Sequence, residues 1–260
     1  MKIQQLPQLL FLAATLGACS SESEKPADTK PLSPAQKQAR IEQIRLHFNE
    51  PVVIDSSVYI MYPLLLSTTE EDETDSSIGS SSYSRSNTYW NMAFYNTETG
   101  ESHLLTAPKK MVIYSHSEDN AGSGAATVSA GSFAKYAKSG SSQAGKLIFY
   151  SVRTDDFNHD GIIDQKDPNY LFTSDKAGND FKQISPDNYN VENWQTLKGA
   201  NKVLIQGTPD TDNNKGFDER DITTPLVYSI RTNGPAKAVF SSPFNSSAKQ
   251  LLHNQWAKKP

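Results

Sequence analysis

Lys146-Leu-Ile-Phe-Tyr-Ser-Val152, Asp156-Phe-Asn-His-Asp-Gly-Ile-Ile-Asp-Gln-Lys-Asp167 and Asn169-Tyr-Leu-Phe-Thr173 follow one another in a single stretch of the chain. The two outer runs are short, aromatic and β-branched, and read as strands. The middle run places oxygen side chains at loop positions 1, 3, 5, 9 and 12, a glycine at 6 and an apolar residue at 8. A strand, a long acidic loop and a second strand therefore make the unit from which the rest of the chain is read.

The oxygen spacing suits a calcium ion. Ca²⁺ takes six to eight oxygens, and a short loop surrounds it only if alternate residues point inward. Asp156, Asn158 and Asp160 would do so, followed by the carbonyl of Ile162, then Asp164, with Asp167 closing the loop. Gly161 allows the positive φ of a sharp turn, and Ile163 would pin the loop to the fold. Four carboxylates in so small a volume repel one another without a cation. The plainer alternative is an acidic surface turn. The run resembles the dockerin-like kind of EF-hand loop, which ends in Asp rather than Glu. That resemblance implies the metal-ligand roles. It does not bring the flanking helices, because strands flank this loop.

A second run looks like a worn copy. Asp210-Thr-Asp-Asn-Asn-Lys-Gly-Phe-Asp-Glu-Arg-Asp221 repeats the oxygens at positions 1, 3, 5, 9 and 12 through Asp210, Asp212, Asn214, Asp218 and Asp221. Phe217 takes position 8. Glycine has moved to position 7, so Lys215 stands where positive φ is expected, at a cost of about 1 kcal/mol. The expectation is a weaker second calcium site, with a merely polar loop as the alternative.

Strand, insert, strand, tight turn and strand recur loosely three times, at about 57–106, 146–185 and 201–241. The starts at Lys146 and Asn201 are 55 residues apart, at the long end of a propeller-blade period. In the second copy, Tyr170 to Asp175, the turn around Gly178 and Phe181-Lys-Gln-Ile-Ser185 resemble the TolB-like propeller repeat. The fold expected is mainly β: a small or incomplete propeller-like antiparallel domain over 34–260, with one N-terminal helix. A β-sandwich is the alternative, because three copies do not close a ring of four to eight blades. The helix is read from Ser33-Pro34-Ala-Gln36, which has the pattern of a capping box with proline in the first turn. Ile41, Ile44 and Phe48 would form its apolar face and Pro51 would end it.

Residues 1–18 have an early Lys2 and a short apolar stretch from Leu9 to Leu16, too short for a membrane span. Leu16-Gly-Ala-Cys19 resembles the lipobox of bacterial lipoproteins. This implies lipidation of Cys19, the chain's one cysteine, and a polar tether over 19–33. Ser20 and Ser21 after the cysteine imply the outer membrane. An ordinary secretory peptide is the alternative.

Asp and Glu number 29 against 25 Lys and Arg, with no basic patch to suggest nucleic acid. No nucleophile elbow, zinc-protease helix or phosphate loop occurs. Trp90, Trp194, Tyr95 and Tyr189 could stack on sugars but at strand spacing read as packing. The acidic and serine-rich insert at 70–86 and the Gly/Ser/Ala-rich stretch at 117–145 read as loops. Together these readings describe a lipid-anchored envelope protein with one or two calcium ions that order loops of a binding or scaffold module. Its partner would be another envelope protein or a glycan. A calcium-dependent envelope hydrolase acting on glycan or peptide is the alternative.

Overall fold

A computed structural model describes residues 33–66, 88–106, 109–117, 122–123, 143–197, 200–232 and 234–256. The leader, Cys19 and the tether lie outside the described residues, as do the insert at 70–86, most of 117–145 and Asn233. The chain divides into two units, Met1–Arg45 and Leu46–Pro260.

In the first unit, α1 (Pro34–Gln43) begins as its sequence predicts. The Gln36 N–H donates to Ser33 Oγ at 3.3 Å and the Ser33 N–H donates to Gln36 Oε1 at 2.9 Å, closing a capping box. The helix ends at Gln43, well before Pro51, and buries none of its residues. The expected face is therefore broken. Ile44 is already extended, and Phe48 forms a β-bridge with Leu64. Phe48 belongs to the second unit, where backbone pairing holds its segment extended. The Leu65 N–H donates to the His47 carbonyl and the Asn49 N–H to the Pro63 carbonyl, both at 2.8 Å.

The second unit is mainly β. Its strands are β1 (Val52–Val53), β2 (Tyr59–Leu65), β3 (Tyr89–Asn96), β4 (Ser102–Leu104), β5 (Val112–Ser117), β6 (Gly122–Ser123) and β7 (Leu147–Arg153). They continue with β8 (Tyr170–Asp175), β9 (Lys182–Gln183), β10 (Tyr189–Leu197), β11 (Lys202–Pro209), β12 (Thr224–Ser229) and β13 (Lys237–Ala238). A second helix, α2 (Ser242–Trp256), follows, so the expectation of a single helix is corrected. One sheet runs β1-β2-β3-β5-β7-β8-β9, with β4 also on β3, and the other runs β13-β12-β11-β10-β6. Among the described residues every strand pairing is antiparallel. In the larger sheet, β3 meets β5 through one residue pair, Tyr89 with Ile113. The strands thus group into three four-stranded meanders: β1 to β4, β5 with β7 to β9, and β10 to β13.

Two cores hold these meanders together. Met61, Met92 and Phe94 from the first meander pack with Ile113, Ile148, Tyr150, Val152, Tyr170 and Phe172 from the second. Phe149 and Leu171, on the opposite face of β7 and β8, pack with Val191, Trp194, Val203, Ile205, Leu226 and Tyr228 from the third. Phe149 and Trp194 touch with ring centroids 4.6 Å apart. The middle meander is therefore buried on both faces, which is why β7 and β8 are almost continuously buried rather than alternating. In β11 and β12 the buried residues alternate, as expected of strands with one covered face.

Candidate metal centre

The two oxygen-rich loops take equivalent places. The first joins β7 to its antiparallel neighbour β8, and the second joins β11 to its neighbour β12. Each begins within a few residues of a strand's end, so the hairpin sets the separation of its two ends.

The loops also repeat one hydrogen-bond pattern, position for position. The position 2 N–H donates to the Asp at position 12 at 2.8 Å in both loops, Phe157 to Asp167 and Thr211 to Asp221. The position 5 N–H donates to the side chains at positions 1 and 3. Asp160 does so to Asp156 and Asn158, at 3.1 and 3.0 Å. Asn214 does so to Asp210 and Asp212, both at 3.2 Å. The position 6 N–H donates to the other oxygen at position 1, from Gly161 at 2.8 Å and Lys215 at 3.2 Å. The position 7 N–H donates to position 5, from Ile162 to Asp160 at 3.1 Å and from Gly216 to Asn214 at 2.7 Å. The position 9 N–H returns to position 12, from Asp164 to Asp167 at 2.8 Å and from Asp218 to Asp221 at 3.2 Å. Positive φ falls at positions 4 and 6 in both, at His159 and Gly161 and at Asn213 and Lys215.

These bonds turn the acceptor side chains toward the backbone of their own loop. Each carboxylate keeps lone pairs beyond those used by the backbone. The donor set is oxygen throughout, which suits Ca²⁺ rather than metals that prefer nitrogen or sulfur. Among the described residues, the carboxylates whose ligand atoms lie within 4.8 Å of one another are Asp210, Asp212 and Asp221. They belong to the loop that the sequence ranks second. One member is at position 3, where the second loop has the acid Asp212 and the first has the amide Asn158. Lys215 takes the expected positive φ of 64° without a glycine.

The acidic repulsion expected in these loops is offset locally. Each loop has a basic residue at position 11 that sequence reasoning missed. Lys166 Nζ lies 3.3 Å from Asp160, and Arg220 lies 3.0 Å from Asp212 and 2.5 Å from Asp218. Partial desolvation pushes the Asp160 carboxyl up, but hydrogen bonds from Asn158, the Ile162 N–H and Lys166 outweigh it and hold it below the ordinary value. The Arg220 guanidinium, helped by the Arg220 N–H, brings Asp218 down to about 2. The Thr211 N–H and hydroxyl lower Asp221. Asp167 moves the other way, because burial raises it despite the N–H groups it accepts.

The loops also touch each other. The ring of Phe157, at position 2 of the first loop, stacks on Phe217, at position 8 of the second, with centroids 5.6 Å apart. Lys215 Nζ lies 4.5 Å from the Phe157 ring centre. Ile163 is buried. Replacing Lys215 by glycine relieves about 1 kcal/mol of backbone strain and forfeits a cation–π contact of about 0.5–1 kcal/mol. K215G should therefore leave the melting temperature nearly unchanged. If the second loop holds calcium, K215G should tighten that binding a few-fold, because a cation in the loop has gone (about 0.5–1 kcal/mol for an exposed charge). Titration calorimetry of the two proteins checks this.

Away from the loops, a cleft of about 560 Å³ is lined by Asp55, His116, Ser117, Lys176 and apolar neighbours. Burial lowers the His116 pKa below its usual 6.5. Of the aromatics weighed for sugar stacking, Trp194 is buried in the second core and Tyr189 packs against it, while Tyr95 is exposed.

No family model matches the chain, and no curated protein does. The solved structure of an apo isopeptidase, AtxE2, is similar at a TM-score of 0.34 and 11% identity, over 81% of this chain and 30% of that one. This chain thus spans about a third of that protein's length, and a likeness so shallow shows neither fold nor activity.

Proposed function

We propose that this chain is a lipid-anchored, calcium-binding protein of the bacterial envelope that serves as a binding or scaffold module. The observation that carries the calcium reading is the hydrogen-bond pattern shared by two twelve-residue loops of different sequence. A polar turn has no reason to reproduce that pattern while keeping an oxygen at each ligand position. Asp156, Asn158, Asp160, Ile162, Asp164 and Asp167 would hold one ion, and Asp210, Asp212, Asn214, Asp218 and Asp221 a second. Bound calcium would neutralise the acids and fix the loops at the ends of their hairpins. The Phe157–Phe217 stack would make the filling of one loop felt by the other. Acylation of Cys19 would tether the module to the outer membrane, with an envelope protein or a glycan as partner. In this reading the three meanders are the blades of a small, open propeller-like arc.

The alternative is a calcium-dependent hydrolase. The observation favouring it is the cleft lined by His116, Asp55 and Lys176, where burial lowers the His116 pKa, since shifted bases in clefts are candidates for proton transfer. Hydrolysis of envelope glycan or peptide that H116A abolishes would establish this alternative.

The central test is calcium titration calorimetry with thermal melts on the chain from Ser20 onward. Every residue of the two cores lies between Ile54 and Ala236, so this chain keeps the whole fold. Two ions should bind and raise the melting point, and D156A/D160A should lose one of them. Absence of binding at millimolar calcium would sink the reading.

A further inference from the structure

We infer that α2 is a docking surface for an anionic lipid membrane. All residues of this 15-residue helix lie outside the cores. Phe244, Leu251, Leu252 and Trp256 are 53%, 57%, 61% and 77% exposed. With Ala248 they fall at i, i+4, i+7, i+8 and i+12, one stripe along the helix. The stripe continues past the helix start. Phe240 stacks on Phe244 with centroids 4.7 Å apart, and Val239 and Phe240 are 43% and 44% exposed. Single exposed apolar side chains are ordinary, but a continuous run of them marks a contact surface.

Charge selects the occupant. The chain as a whole is acidic, at −4, yet all of its Asp and Glu lie at or before Asp221. From Ile222 onward it carries Arg231, Lys237, Lys249, Lys258 and Lys259 and no acid. Lys249 borders the apolar stripe. A second copy docking antiparallel through α2 would bring together the two Lys249 side chains, which sit near the helix centre, and that is unfavourable. An anionic headgroup layer offers the opposite sign to Lys249 above an apolar interior, and an amphipathic helix without acidic residues suits that boundary. Trp256, at the helix end, has the ring type found at membrane–water interfaces. The helix is too short to span a bilayer, and no described helix is long and apolar enough to cross one. The contact is in the plane of the surface. It is independent of calcium and of any acyl group on Cys19.

The test uses the unacylated chain from Ser20 onward with phosphatidylcholine vesicles, with and without an equal part of phosphatidylglycerol. Co-sedimentation should require the anionic lipid and weaken with salt. The tryptophan quenching by brominated lipid should be lost in W256F. L251S/L252S changes two exposed residues, so its melting temperature should match the parent, while vesicle binding should fall about tenfold or more. Equal binding by parent and variant, or no binding to anionic vesicles, overturns the inference. So does a lipid-free dimer in sedimentation velocity that the same double substitution abolishes, since the stripe then belongs to a second copy.

Discussion

D167A should be among the most damaging single changes in the chain, lowering stability by about 2–4 kcal/mol even without calcium. Asp167 is 1% exposed, and its two oxygens accept the Phe157 and Asp164 N–H groups at 2.8 Å each. Its removal leaves one buried and one half-buried donor without a charged acceptor. The Phe157 donor stands at position 2 and Asp167 at position 12, so Asp167 closes the loop in the absence of any ion. Calcium should widen the gap. At a hundredfold excess over its dissociation constant, an ion that binds only the folded chain contributes about 2.7 kcal/mol, and D167A would forgo most of it. D167N keeps an oxygen acceptor but loses the charge, and should fall between the two. Urea melts with and without calcium measure all three. If D167A costs less than about 1 kcal/mol in both conditions, the carboxylate does not hold the loop.

G178A should cost about 2–4 kcal/mol, from backbone strain and overpacking together. Gly178 has φ +80°, and a Cβ there would lie 2.6 Å from two atoms of the Phe94 ring. That ring cannot easily retreat. Phe94 is fully buried and stacks on His103 at 5.6 Å, and the His103 ring is hydrogen-bonded to the Ala177 carbonyl at 2.8 Å. The tight turn after β8 thus presses on β3 of the first meander through a position without a side chain. G145A is the control, because a Cβ there meets nothing within 4 Å, and it should change stability by under about 0.5 kcal/mol. Equal melts for the two variants would show that the Phe94 contact does not constrain the fold.

The parts of this molecule legible in the sequence are those governed by local spacing. The oxygens at alternating loop positions, the strand runs on either side and the Ser33–Gln36 cap all follow from residues a few places apart. β10 escaped because a register shift between Val191 and Asn193 puts its inward residues Val191 and Trp194 three apart, which hides the period of two. α2 escaped because Asn245, Ser246 and Ser247 weaken its helical propensity. Its start shows the same kind of signal as that of α1, since Ser241 accepts the Phe244 N–H at 3.4 Å and Pro243 sits in the first turn. The contact of Phe157 with Phe217 joins distant segments and leaves no trace in either one. The basic residues at position 11 belong to no ligand pattern, so only the folded loop reveals what they face.

The shared loop geometry also bears on how such a molecule can arise and be rebuilt. Both copies hang from adjacent antiparallel strands, and their bonds from positions 1 to 12 are almost all internal. Lengthening a hairpin connection is cheap in closure entropy. A twelve-residue segment of this kind is therefore a transplantable cassette: a neighbouring hairpin can acquire it whole, and the fold beneath need supply only two strand ends at the right separation.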